Sequence, residues 1–138
     1  MENLPTELGI LACLAVFAAF MWVPYVVGIS TDPSEEDAFD TPADISRLRP
    51  WVQRAYRAHL NLMEQLLPFA ILVLLIDRVN GFTALSYFTA IAFFWIRLAH
   101  AAGMISGVAK MPLRPILFTA GWICLALMGY TFFSAHWG

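Results

Sequence analysis

Charge is scarce in this chain. Of 138 residues only 13% are Asp, Glu, Lys or Arg, and lysine occurs once, at Lys110; soluble domains carry about 25% charged residues. The formal net charge is −2 and no basic stripe with interleaved aromatics is present, which excludes an electrostatic case for nucleic acid. Cysteine is nearly absent as well. Cys13 and Cys124 lie singly in apolar segments, match no metal or redox spacing and read as small buried hydrophobes. No histidine forms a triad with carboxylates at ligand spacing, so no metal is assigned. Met1 to Thr6 carries no positive n-region, and the apolar run after it is long enough to span, so no cleavable signal peptide is expected.

Apolar residues fill the space that charge leaves. They make up 60% of the chain, and the mean hydropathy is +0.69. About 20 mostly apolar residues cross a bilayer. Four segments qualify, at about 8–29, 49–76, 82–104 and 115–133, within a single domain covering 1–138. Period-2 alternation is missing, and in lipid a backbone without a closed barrel must be helical. The expected fold is all-α, an integral membrane up-down bundle of four helices. Thr31 to Asp44, with Pro33 and Pro42, reads as a solvated acidic loop, and Asp77 to Gly81 as a tight turn carrying the Asn80-Gly81 signal. Pro115 suits the first turn of the last helix, where its missing N–H is not needed. Arg47, Arg49, Arg54 and Arg57 flank the first loop and Lys110 and Arg114 the third, so the positive-inside rule places both termini outside and these basic ends in the cytoplasm.

Polar residues inside a spanning segment are functional suspects by default. On the second span Arg47, Arg54 and Asn61 form a series seven apart, with Arg57 and Glu64 in a second series beside it. Arg97 and His100 share a face of the third span, and Arg114 enters at the start of the fourth. These groups can converge just inside the cytoplasmic interface. Glu64 is expected to pair with Arg97 as a structural ion pair. The remaining cations, Arg54, Arg57 and Arg114, outnumber the carboxylates and point to a cleft for a small anionic ligand. His59 and His100 fit a structural hydrogen-bonding role as readily as a binding one, and Met104 and Met111 read as packing.

The run Arg54-Ala55-Tyr56-Arg57-Ala58-His59-Leu60-Asn61-Leu62-Met63-Glu64 closely resembles the signature helix of the MAPEG family, the membrane-associated proteins of eicosanoid and glutathione metabolism. Arg97-Leu98-Ala99-His100 and the Arg114 entry to the last span are similar to the family too, and the resemblance extends over nearly the whole chain. It implies a homotrimer with glutathione bound as co-substrate in a cytoplasm-facing cleft between neighbours. By that resemblance Arg57, Asn61, Glu64 and His100 are candidate glutathione-binding residues, with Arg54 and His59 added from the polar strip, and Arg114 is the candidate catalytic residue that stabilises the thiolate. The implied activity is a glutathione transferase or glutathione-dependent peroxidase acting on lipophilic electrophiles. The alternative is a non-catalytic membrane module that binds a lipid headgroup or a partner protein. Two departures motivate it: Met104 and Phe118 stand where eicosanoid and detoxifying members carry tyrosine, and the end of the first span, Gly28 to Asp32, lacks their basic residues. The overall look is that of the small bacterial inner-membrane branch. The second span, which bears the polar strip, is expected to face the oligomer axis, because helix association in lipid relies on packing and polar contacts.

Overall fold

The computed structural model describes residues 4–32 and 44–137. Most of the acidic loop, with Pro33 and Pro42, falls outside the described residues. Among those described there is no strand, and four helical segments are long and apolar enough to cross a membrane. The first, Thr6–Ser30, is two helices: α1 spans Thr6–Phe20 and α2 spans Val23–Ser30. A single unbroken span was expected there. Pro24 explains the break, since it has no N–H to offer the Phe20 carbonyl and its ring crowds that oxygen. The turn tightens instead, with the Met21 N–H donating to the Ala18 carbonyl at 3.2 Å.

A short 3-10 helix, Ile45–Arg47, precedes α3, which runs Pro50–Arg78 with Pro50 in its first turn. Asn80 takes a positive φ of 50° in the turn that follows, as an Asn-Gly sequence allows. Helix α4, Ala84–Ser106, opens on a capping box between Thr83 and Ser86. It closes on Gly107 at φ 79°, a left-handed position that favours glycine. Helix α5 covers Leu113–Trp137 and carries Pro115 in its first turn.

Helix α4 packs against α1, α3 and α5, and α3 touches every other helix. The core between them holds Leu14, Leu62, Val73, Ile76 and Met128, with Phe69 and Phe93 stacked at 4.1 Å between α3 and α4. Outward faces carry large apolar side chains such as Phe20, Leu67, Phe88, Trp95 and Trp122, all exposed in the protomer. That is the pattern of a body solvated by lipid, where an apolar exterior costs nothing.

A polar cleft at the α4–α5 turn

Where α4 ends and α5 begins, a cleft of about 370 Å³ opens between α3, α4 and α5. Its walls are Asn61, His100, Met111, Arg114, Pro115, Phe118 and Thr119. Three candidates chosen on charge and polarity therefore meet here: Asn61 from α3, His100 from α4 and Arg114 from α5. His100 is 1% exposed, and neither of its ring nitrogens has a hydrogen-bond partner among the described residues. Buried polar atoms without partners are rare and mark a place where a ligand or water completes the hydrogen bonding. Arg114 brings a guanidinium to the wall of the same cleft that His100 lines.

The other candidates lie elsewhere. Arg54 donates from Nε to the Ile105 carbonyl at 3.3 Å and lies against Gly107, where a cation suits the C-terminal end of α4. Arg57 and Glu64 are on the exposed face of α3 and have no hydrogen bond or ion pair among the described residues. His59 is half-buried, with Nδ1 unpartnered, and does not line the cleft.

The expected direct pair between Glu64 and Arg97 does not form within the protomer. Arg97 is fully buried and donates from Nη1 to Gln65 Oε1 at 2.9 Å and from Nη2 to the Asn61 carbonyl at 2.8 Å. Glu64 acts on it only through space. One residue along a helix is a rotation of about 100°. That step carries Glu64 off the face that meets α4 and puts Gln65 on it. Gln65, 3% exposed, is the residue that charge-based reading passes over. Its signal was present in the spacing, since Ala58, Leu62, Gln65 and Phe69 form one buried series.

The two methionines differ in role. Met104 is buried and accepts a hydrogen bond from Asn61 Nδ2 at 3.4 Å, whereas Met111 is 81% exposed at the cleft rim rather than packed inside. Phe118 lines the cleft with its ring 6.3 Å from that of His100. On the neighbouring side of α5 lies an apolar groove of about 380 Å³, formed by Pro115, Ile116, Thr119, Ala120 and Ile123. Pro115 and Thr119 border both cavities, so the cleft that holds Asn61, His100 and Arg114 adjoins a more apolar groove across a single helix.

Fold and cleft together define a class: a multi-pass helical membrane protein with a pocket carrying Asn61, His100 and Arg114 at one end of its bundle. The profile of the MAPEG family matches residues 9–134, and the chain belongs to that family, whose members are glutathione-related. A comparison with curated proteins finds no match.

Proposed function

We propose that the protein binds glutathione in the cleft between α3, α4 and α5 and presents its sulfur to a lipophilic electrophile. The observation that carries this is the meeting of Arg114 with the unpartnered, buried His100 and with Asn61 in one pocket beside an apolar groove. A free thiol ionises near pH ~8.5 and the thiolate is the nucleophile. The Arg114 guanidinium stabilises the thiolate electrostatically, which favours ionisation at neutral pH. The thiolate then forms a C–S bond as the leaving group departs with its electron pair, giving a transferase. Attack on a lipid hydroperoxide instead forms an S–O bond as the O–O bond breaks and the alkoxide leaves as the alcohol. A second glutathione then reduces the resulting sulfenic acid, giving glutathione disulfide and water, which is the peroxidase variant. The groove along Pro115, Ile116 and Ile123 offers the lipophilic partner a path from the bilayer.

The protein is further proposed to act as a homotrimer in a bacterial inner membrane, with the cleft facing the cytoplasm and both termini outside. The support for assembly is a seam on α3. Arg57, Leu60, Glu64, Leu67, Ile71 and Leu74 are all exposed and follow one another at alternating spacings of three and four. That is the a/d pattern of helices packed around a shared axis. Arg57 and Glu64 on this seam become available to a cleft completed by a neighbour.

Titration of the thiolate absorbance of bound glutathione tests the assignment. Arg114→Ala is expected to lose the thiolate signal at pH 7 while retaining part of the binding; an unchanged signal rejects Arg114. One observation favours the non-catalytic module instead: Met104 and Phe118 offer no hydroxyl to the cleft, and the Asn61 amide is held by the Met104 sulfur. Glutathione binding by calorimetry without turnover of chlorinated aromatic electrophiles or hydroperoxides selects that reading.

A further inference from the structure

Arg97 has no carboxylate at ion-pair distance among the described residues, although it is fully buried. A guanidinium only donates, so the end of the Gln65 amide that faces Arg97 must be its oxygen. The other end is thereby fixed. Gln65 Nε2 points across to α5 and donates to the Phe118 carbonyl at 3.0 Å. Phe118 stands one helical turn beyond Arg114, so that carbonyl and Arg114 belong to one rigid stretch of α5. The approach of α5 depends on Gly121, where a Cβ would overlap Gln65 Oε1. The chain Arg97–Gln65–Phe118 thus joins α4, α3 and α5 immediately beneath the cleft.

We infer that Gln65 is a positioning residue, which fixes α5 against α3 so that Arg114 is held in the cleft beside His100 and Asn61. Its two bonds do different things. The bond to Arg97 orients the amide, and the bond to Phe118 transmits that orientation to the helix bearing Arg114. No other side-chain hydrogen bond links α3 to α5 among the described residues. The consequence for sulfur chemistry rests on reading the cleft as a thiol site.

Q65E separates this role from that of a mere partner for Arg97. A carboxylate has the same shape and satisfies the guanidinium more strongly. Its second oxygen, however, meets the Phe118 carbonyl oxygen, acceptor against acceptor, so α5 is released while Arg97 stays paired. The experiment titrates the thiolate absorbance of glutathione bound to purified detergent-solubilised protein, with a thermal melt recorded in parallel. The expected result for Q65E is a melt at or above the wild type and a thiolate midpoint raised by about one pH unit or more toward the free-thiol value near 8.5. G121A introduces a better helix former yet occupies the space that Gln65 needs, and should move the midpoint the same way. If Q65E folds poorly, G121A decides on the same criterion. A wild-type midpoint in the folded variant overturns the proposal and leaves Gln65 as a partner of Arg97 alone. A wild-type protein that forms no bound thiolate sinks the glutathione reading instead. In that case the crystal structure of Q65E decides: α5 displaced relative to α3 supports the positioning role, and α5 superposing on the wild type overturns it.

Discussion

Glu64 and Gln65 are neighbours in the chain and opposites in the structure. The carboxylate faces outward, while the amide is buried against a guanidinium. Their mutants should diverge accordingly. Gln65→Leu strips Arg97 of one acceptor and Phe118 of its donor, and leaving a buried polar group unpaired costs about 1–3 kcal/mol. Glu64→Leu removes a side chain with no direct partner in the protomer. Thermal melts in detergent should therefore fall for Gln65→Leu and stay near the wild type for Glu64→Leu, with the latter losing glutathione affinity. A large drop for Glu64→Leu would restore the direct pair with Arg97. Polarity made Asn61, His100 and Arg114 legible in the sequence, because a polar residue in an apolar segment stands out without any knowledge of the fold. It misdirected the search at Gln65, since a formal charge outranks an amide until the helix phase is fixed by its packing partners.

Helices carry these residues, and their ends and interruptions were readable to different degrees. The second to fourth apolar segments correspond to α3, α4 and α5, because length, hydropathy and first-turn prolines act locally. The break between α1 and α2 was also written in the chain, at Pro24, but an uninterrupted apolar run masks it. Contacts between helices were not readable, since they depend on which faces meet. The Phe69–Phe93 stack is one such contact, and Phe69→Ala should cost about 3–5 kcal/mol of stability, read as a lowered melt. At the surface, the 3-10 helix before α3 should respond to acid. The Asp44 carboxyl is held below its ordinary value by hydrogen bonds from the Ser46 hydroxyl and backbone N–H, and by the Arg47 charge. A carboxyl depressed in the folded state stabilises fully above its unfolded value, about 3.9, and that contribution disappears as pH falls through the folded value. The Ser46 amide resonance should hence titrate with a midpoint below the ordinary carboxyl value of about 3.9. A midpoint at or above that ordinary value would mean that the cap is not formed.

At the scale of the whole molecule, the cleft and the seam lie side by side on α3, since Asn61 is four residues from Arg57 and three from Glu64. Asn61 lines the cleft of its own protomer, while Arg57 and Glu64 face outward in line with Leu60, Leu67, Ile71 and Leu74. An apolar exterior alone does not drive assembly in lipid, where helices associate through packing and polar contacts. Arg57 and Glu64 supply the polar part, and the alternating leucines supply interlocking layers. The proposed trimer then makes two separable forecasts. Asn61→Leu should weaken glutathione binding and leave the oligomer intact, because its side chain bonds to Met104 within the protomer. Leu60→Trp combined with Leu67→Trp should break the oligomer through overpacking at the seam while the bundle stays helical, because both positions are exposed in the protomer. If the site is shared, this monomer must also lose glutathione affinity, since Arg57 and Glu64 no longer meet a neighbour's cleft. Native mass spectrometry from detergent, paired with calorimetry on the same preparation, reads both properties. A monomer that keeps full affinity would show that one protomer's cleft suffices and that the exposed Arg57 and Glu64 serve assembly rather than ligand.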